Sequence, residues 1–337
     1  MARSLLSLWR SGRRLLRLQT QLATMPHVVE APPPVRVSAP DLGEMPNPGA
    51  LEERLYRPEG LRPGAPVVVL LHGCGQEPEA LAEAAGWMAL AEQSGFLLLM
   101  PRQSADNNSQ RCFNWYQPED IGRDLGEAAS IHAMAMRALA RHQGDPARVF
   151  VTGLSAGAAM AACVLASYPE SFAAGATVAG LPAGCASGVV GAMTRMAGHG
   201  RDLSQAELTT RARALAPKGW QGRWPRLQIW HGMADGVVAP GNGLELAAQW
   251  CGLHLLHGQG VAAAPQFGLH RRSWSGADGG VAVEQVTVDG LGHAMPADRL
   301  FSPLSVIAPC KVWAAAEIVR FWGMSGEAVT DRAPTRM

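Results

Sequence analysis

The chain has 337 residues, 47% of them apolar and 17% charged, so it can bury a large core and does not have the composition of a disordered polymer. Its 29 basic and 28 acidic residues leave a net charge of only +1, which argues against nucleic-acid binding as its main role, since neutralising phosphates requires a basic surface. No run approaches the ~18 apolar residues of a membrane-spanning helix, and six cysteines in so long a chain do not define a disulfide scaffold.

The first 25 residues are basic and amphipathic. They contain five arginines, and no acid precedes Glu30. On a helical wheel the leucines at 8, 15, 18 and 22 share one face and the arginines lie opposite. The pattern predicts a leader at 1–25 that forms a basic helix able to contact an anionic membrane surface, with an unstructured leader as the alternative.

The regions that flank the main domain are predicted from composition. Six prolines between residues 32 and 48 predict a linker at 26–51. A polar tail at 324–337 is predicted to be disordered. The main folded domain is therefore expected at 52–323.

Within that domain, short apolar runs alternate with longer helical stretches. Strands are predicted, in chain order, at Val67–Leu71, Phe96–Met100, Val149–Thr152, Ala173–Ala179, Leu227–Trp230 and Val281–Val288. Helices are predicted at Pro78–Ser94, Glu119–His142, Ala156–Ser167, Gly243–Cys251 and Lys311–Trp322. This alternation predicts an α/β fold with a mostly parallel central sheet covered by helices on both faces. Functional residues are then expected at the carboxyl ends of the strands.

A strand–turn–helix motif contains the candidate nucleophile. Residues 153–157 read Gly-Leu-Ser-Ala-Gly, follow a predicted strand and precede a helix rich in alanine. A tight turn in this setting lifts the Ser155 hydroxyl above the helix N-terminus and toward substrate. We therefore predict that Ser155 is a catalytic nucleophile, with an ordinary glycine-rich turn as the alternative.

A serine nucleophile needs a base, and the base needs an acid to orient it. His293, in the glycine-rich loop after the last predicted strand, is the candidate base. His231, at the end of an earlier strand, is the main rival and is interpreted as a structural loop residue. Asp235 follows it in the next turn and is the candidate acid. The weaker candidates are His199, His254, His257 and His270 for the base, and Asp202, Asp278 and Asp289 for the acid.

Two backbone amides are candidates for an oxyanion hole, which stabilises the charge that develops when a serine attacks a carbonyl. One is the N–H of Ala156, the residue after the nucleophile. The other is the N–H of Cys74, in the loop His72-Gly73-Cys74-Gly75-Gln76 after the first predicted strand. A plain glycine-rich turn is the alternative interpretation of this loop.

Five motifs, in their order along the chain, resemble those of esterases of the polyhydroxybutyrate (PHB) depolymerase family. They are His72-Gly73-Cys74, Arg111-Cys112-Phe113-Asn114-Trp115, Gly153-Leu154-Ser155-Ala156-Gly157, His231-Gly232-Met233-Ala234-Asp235 and Gly292-His293-Ala294. The resemblance covers about residues 52–323 and extends to feruloyl and acetylxylan esterases. It implies an α/β-hydrolase fold and hydrolysis of hydroxyalkanoate or other carboxylic esters without a cofactor or a metal. It also supports Ser155, Asp235 and His293 as a triad, with Cys74 and Ala156 as the oxyanion donors.

Two further predictions concern the loop around residue 112. Cys74 and Cys112 follow strands that should be neighbours, so we predict a disulfide that clamps the Cys74 loop, with two buried thiols as the alternative. Asn114, Trp115 and Tyr116 are candidate substrate-binding residues. A buried aromatic anchor is the alternative role for the two aromatic side chains.

The sequence thus predicts a serine esterase that cleaves 3-hydroxybutyrate oligomers or related esters. A feruloyl or acetylxylan carbohydrate esterase and a non-catalytic binding module of the same fold are the alternatives. The expected partner is the ester substrate, with no nucleic acid and no obligate protein partner. The resemblance implies a secreted or cell-envelope protein, whereas the lack of a standard signal peptide leaves the cytoplasm as the alternative.

Overall fold

The computed structural model describes residues 46–298 and 304–324. The predicted leader lies outside the described residues, as do residues 26–45 of the predicted linker and 325–337 of the predicted tail. The membrane contact expected of the leader therefore stays a prediction. No helix among the described residues combines the length and the apolar character needed to cross a membrane.

A mostly parallel sheet forms the centre of the described region. Its strands are β1 (Leu55–Tyr56), β2 (Val67–Leu71), β3 (Leu97–Leu99), β4 (Val149–Leu154), β5 (Ala174–Val178), β6 (Arg226–Gly232), β7 (Val261–Ala262), β8 (Leu269–Ser275) and β9 (Val281–Val288). Their spatial order is β1-β3-β2-β4-β5-β6-β9-β8-β7. Neighbouring strands from β3 to β9 are parallel, and the strands at both edges pair antiparallel. Two short strands, β10 (Met295–Ala297) and β11 (Ile307–Pro309), form a separate parallel pair.

Helices connect the strands, as the α/β prediction requires. They are α1 (Pro78–Ala84), α2 (Trp87–Ser94), α3 (Pro118–Ile121), α4 (Gly126–Arg141), α5 (Ala156–Ser167), α6 (Gly188–Met196), α7 (Gln205–Arg213), α8 (Gly241–Leu253) and α9 (Ala314–Phe321). The first two predicted helices are each divided in two. The first breaks at Gly86, whose φ of 79° lies in the left-handed region. The α/β class is confirmed.

The core explains why the inner strands read as unbroken apolar runs. All five residues of β2 and of β5 are buried, because helices cover both faces of the sheet. Every residue of α5 is buried as well, and its many alanines let it pack closely on the sheet. This rigid helix begins directly after Ser155. The carboxyl ends of β2, β4, β6 and β9 lie at one edge of the sheet, where the motif-bearing loops begin.

Candidate active site

Ser155 lies in a strained turn between β4 and α5. Its φ of 58° and ψ of −120° are rare for a residue with a side chain, and such strain is typical of functional positions. Its N–H donates to the Val178 carbonyl at 2.9 Å, which ties the turn to the end of β5. A Cβ on Gly157 would lie 2.3 Å from the Leu71 carbonyl oxygen, so only glycine lets the first turn of α5 touch the end of β2. The loop after β2 is thereby brought against the helix that carries the serine.

The structure brings Ser155, His293 and Asp235 together in one hydrogen-bonded chain. His293 Nε2 lies 2.8 Å from Ser155 Oγ, and His293 Nδ1 lies 2.8 Å from Asp235 Oδ2. Because a carboxylate only accepts, the imidazole proton sits on Nδ1, which leaves Nε2 free to accept the serine proton. A Cβ on Gly232 would lie 2.3 Å from the Leu291 carbonyl oxygen, so the end of β6 packs directly on the loop that presents His293.

Asp235 is a buried carboxylate surrounded by donors. It is only 6% exposed. Its Oδ1 accepts the N–H groups of Val237 and Val238, and its Oδ2 accepts from His293. Burial alone would raise the pKa of Asp235, but hydrogen bonds from His231 and His293 outweigh it and hold the pKa below its usual range. The group is therefore an anion at neutral pH, able to orient His293 and to stabilise its protonated form.

His231 is not the loop residue that the sequence suggested. It belongs to β6 and is 1% exposed, because the strand runs two residues further than predicted. Its Nε2 donates to the Val238 carbonyl at 2.9 Å and lies 3.4 Å from Asp235 Oδ2. These two contacts stabilise the turn that contains Asp235, whereas His293 lies next to Ser155.

Four of the weaker candidates make contacts away from Ser155. His270 and Asp289 bond to each other at 2.9 Å on the surface. Asp278 accepts the Gly280 N–H within its own turn and pairs with Arg223. His254 donates to the Pro225 carbonyl at 3.1 Å. These contacts give each residue a structural role.

The two candidate oxyanion donors have no acceptor of their own in the described part of the chain. Ala156 is the first residue of α5, and the first amides of a helix have no partner within the helix. Cys74 lies in the turn after β2, and its N–H donates to no described backbone or side-chain group. Both amides can therefore donate to a substrate oxygen.

Several contacts hold the Cys74 loop to the loop that follows β3. The predicted disulfide between Cys74 and Cys112 is present, which confirms that prediction. Beside it, the Gly75 N–H donates to the Gln110 carbonyl at 2.8 Å. Arg111 donates to the Gly75 carbonyl at 3.3 Å and forms an ion pair with Glu77. The disulfide thus lies within a set of bonds that fixes the loop bearing the Cys74 amide.

Reduction of this disulfide should lower activity before it unfolds the protein. The bond spans 38 positions of sequence, for which chain entropy gives a stabilisation of about 3–4 kcal/mol. A Cys74 amide that drifts loses some of its contact with the oxyanion, and a whole donor contributes ~10²–10³ in kcat. Activity and circular dichroism are followed together during titration with reductant, with peptide mapping of free thiols. Full activity in protein whose Cys74 and Cys112 are both free would contradict the expectation.

A buried polar network behind this loop was missed by the sequence analysis. Glu127, in the first turn of α4, is 1% exposed and accepts the N–H and the side-chain amide of Asn114, each at 2.8 Å. Gln103 donates to Glu127 and, at 3.1 Å, to the Cys112 carbonyl. In the sequence Glu127 looks like an ordinary acidic residue at a helix start, and nothing there indicates its burial.

The three candidate substrate-binding residues differ in their burial and in their contacts. Asn114 is held by Glu127 and accepts from Asn108 at 2.9 Å. Trp115 is only 3% exposed and packs in the core, which favours the anchor interpretation of this residue. Tyr116 is half-buried, and its hydroxyl accepts from Asn108 at 3.2 Å. Of the three, Tyr116 stays the candidate for contact with substrate.

The buried carboxyl of Glu127 should make stability depend on pH. Burial, with the nearby charge of Asp120 adding to it, raises the pKa of Glu127 from 4.5 to about 8, against the amide bonds that lower it. Between these values the folded protein holds a proton that the unfolded chain releases, so the free energy of unfolding should fall as pH rises. Across this pH range the free energy of unfolding of Glu127→Gln should fall by about 2–5 kcal/mol less than that of the wild type. Urea unfolding at pH 5 and pH 8 measures both losses, and equal losses would refute the assignment.

No three His, Cys, Asp or Glu side chains in the part of the chain that the structure describes are grouped so as to hold a metal ion. The expectation of a reaction without metal or cofactor rests on the sequence resemblance.

Comparison with known proteins identifies the family. The family model described as esterase PHB depolymerase matches residues 51–265. The chain belongs to this family. The predicted resemblance is thereby confirmed.

Named relatives agree with the family assignment. Poly(3-hydroxyalkanoate) depolymerase C of Paucimonas lemoignei is 40% identical over 252 residues, which cover 75% of this chain and 60% of that protein. The chain therefore spans less than two thirds of that relative's length. Feruloyl esterase B of Talaromyces stipitatus is 29% identical over 260 residues, which cover 75% of this chain and 70% of that protein.

A solved structure shows the same fold. An acetyl xylan esterase from Aspergillus awamori superposes with a TM-score of 0.71 at 24% identity, over 83% of this chain and 96% of that one. With the sheet order described above, this likeness confirms the α/β-hydrolase fold. In this member of the PHB depolymerase family, the matched range includes Ser155, Asp235 and the two disulfide-bonded cysteines, whereas His293 lies beyond its end. The place of His293 in the site therefore rests on its two hydrogen bonds, to Asp235 and to Ser155.

Proposed function

We propose that this PHB depolymerase family member is a serine-dependent carboxylic ester hydrolase that works through an acyl-enzyme. The observation that carries the proposal is the hydrogen-bonded chain from Asp235 through His293 to Ser155, with 2.8 Å at each step. A serine hydroxyl is a weak nucleophile by itself, and a histidine at this distance and in this tautomer activates it.

The proposed reaction gives each of these residues a role. His293 Nε2 takes the Ser155 proton while Oγ attacks the ester carbonyl, and Asp235 stabilises the imidazolium. The negative oxygen of the tetrahedral intermediate accepts from the amides of Cys74 and Ala156. His293 then protonates the leaving alcohol, and in the second half it activates water to release the acid and regenerate Ser155.

The proposed substrates are 3-hydroxybutyrate oligomers or related hydroxyalkanoate esters. A relative that is 40% identical is named as a poly(3-hydroxyalkanoate) depolymerase, which supports this class. Feruloyl and acetylxylan esters are the second candidate, because a 29% identical relative is named feruloyl esterase B. A complete Ser–His–Asp arrangement speaks against a non-catalytic binding module.

The proposed location is an oxidising compartment, outside the cell or in its envelope. The disulfide between Cys74 and Cys112 supports it, because cytosolic thiols are generally kept reduced. Thiol mapping of protein isolated from its native host without reductant tests the location.

A panel of esters tests the activity. Purified protein is assayed on 3-hydroxybutyrate oligomers, methyl ferulate, acetylated xylan and short p-nitrophenyl esters, with Ser155→Ala protein as the matched control. We expect the highest kcat/KM on the hydroxybutyrate oligomers. A preference for ferulate or acetylated xylan would replace that substrate class, and turnover of none of these esters would refute the esterase itself.

A further inference from the structure

His72 is a buried histidine for which the mechanism above has no use. It directly follows β2, is fully buried, and is the first residue of the loop that contains the Cys74 amide. Burial lowers the pKa of its ring to about 4, against a hydrogen bond to Gly73 and the charge of Glu77, and with the charges of Arg111 and Arg102. The ring of His72 is therefore uncharged at neutral pH.

The partners of His72 determine which of its nitrogens carries the proton. The Gln103 N–H donates to Nε2 at 3.0 Å, so this nitrogen is the acceptor. In a neutral imidazole the proton is then on Nδ1. Nδ1 lies 2.8 Å from the Gly73 carbonyl oxygen and donates to it.

The Gly73 carbonyl belongs to the same peptide unit as the Cys74 N–H. In a trans peptide the C=O and N–H bonds point in opposite directions. Two donors hold that carbonyl oxygen, His72 Nδ1 at 2.8 Å and the Gln76 N–H at 3.3 Å. The preceding peptide is held as well, because Gln76 Oε1 accepts the Gly73 N–H at 2.9 Å. The plane of the Gly73–Cys74 peptide is therefore fixed from one side.

We propose that His72 is a positioning residue for the oxyanion hole, which holds the Gly73 carbonyl so that the Cys74 N–H of the same peptide points to the substrate oxygen. Without the His72 bond the peptide can rotate and turn its carbonyl toward the developing negative charge. This inference rests on the proposed esterase activity and deepens it.

The disulfide does not replace this bond. It holds the Cys74 side chain to Cys112, whereas rotation of the peptide before Cys74 leaves the position of that side chain almost unchanged. The same network supports the imidazole, because Gln103, which donates to Nε2 through its backbone, donates through its side chain to the Cys112 carbonyl.

Two variants separate the bonds made by the ring. His72→Asn places an amide N–H where Nδ1 was, so it keeps the donor to Gly73 and loses the acceptor for Gln103. His72→Gln places a polar atom near the former Nε2, so it keeps the acceptor and loses the donor to Gly73. We expect kcat to fall ~10²–10³-fold in His72→Gln, the effect of one lost oxyanion donor, and to stay within about tenfold in His72→Asn. KM should change little in both, because the oxyanion forms only after serine attacks the carbonyl and is absent from the bound ester.

Binding of a transition-state analogue distinguishes positioning from general support of the fold. A trifluoromethyl ketone whose serine adduct carries an oxyanion should lose affinity in His72→Gln by the same factor as kcat/KM, with the melting temperature and disulfide content recorded for each variant. Equal losses of kcat in the two variants, or a His72→Gln enzyme within threefold of the wild type, would overturn the proposal.

If His72→Gln does not fold, His72→Phe replaces it, because a phenyl ring of similar shape also lacks a donor to the Gly73 carbonyl. Like His72→Asn it loses the acceptor for Gln103, so its kcat should lie ~10²–10³-fold below the wild type at unchanged KM, and a kcat equal to that of His72→Asn would overturn the proposal. Failure of the proposed function is recognised separately, as a wild-type protein that turns over none of the esters.

Discussion

Replacing Ser155 by alanine is expected to lower kcat for ester hydrolysis by about 10⁶ while the protein stays folded. The change removes only the Oγ atom that lies 2.8 Å from His293 Nε2, and the Ser155 N–H still donates to Val178. Alanine at this position adopts the same φ of 58° that serine already has, so the backbone strain is unchanged and stability should change little while the rate is lost. Ester turnover and thermal unfolding, measured on the same preparation, separate the two effects.

The control for Ser155→Ala is another buried serine that the mechanism does not use. Ser130 is fully buried in α4 and accepts the Gly49 N–H at 2.8 Å, so Ser130→Ala removes a buried hydrogen bond away from the proposed reaction. It should destabilise the fold by about 1–3 kcal/mol and leave kcat near the wild-type value. A Ser155→Ala enzyme that keeps near-normal turnover would remove this residue from the mechanism.

The strands whose bounds the sequence predicted best are β2 and β9. Val67–Leu71 and Val281–Val288 have the predicted bounds, because an unbroken or alternating apolar run ends abruptly at a turn. β8 was missed because it lies near the edge of the sheet and contains His270, Arg271 and Arg272. Arg271 stabilises the sheet by pairing with Glu284 and Glu317, and such pairs depend on residues distant in the sequence.

The helices α6 and α7 were not predicted, for two different reasons. α6 contains two glycines and three β-branched residues, all poor helix formers, so its helical state depends on tertiary packing. α7 could have been found, because Ser204 and Glu207 form a capping box that is readable as Ser-x-x-Glu. The two broken helices needed the backbone conformation at their turns, which the alanine-rich pattern conceals.

The candidate site was more predictable than the fold around it. Ser155 is marked by a local motif, and Asp235 and His293 follow strands whose carboxyl ends share one edge. The buried partners were not predictable. Gln103, Glu127 and the tautomer of His72 depend on loops that meet only in the folded chain, and their residue types occur equally on surfaces.

The choice between two histidines gives the second large effect. Both contact Asp235, but only His293 is also bonded to Ser155, at 2.8 Å, whereas His231 donates to the Val238 carbonyl. His293→Ala removes the base and should lower kcat by about 10⁶, since serine and base act as a unit. His231→Gln keeps a side-chain donor near the carbonyl that His231 contacts and should cost far less, within about 100-fold.

The comparison of these variants is decisive because the two histidines share one carboxylate. Replacing the triad acid by its amide lowers the rate of a serine protease by ~10⁴. If the rate losses came from disturbing Asp235 alone, both histidine variants would approach that value together. A fall in kcat larger than this is expected only when the residue that takes the serine proton is replaced. We therefore expect kcat, measured at saturating ester with folding checked by circular dichroism, to separate His293→Ala from His231→Gln by at least about 10³. If His231→Gln is inactive and His293→Ala retains turnover, the serine proton goes to His231. The hydrogen bond between His293 and Ser155 then has no part in the reaction.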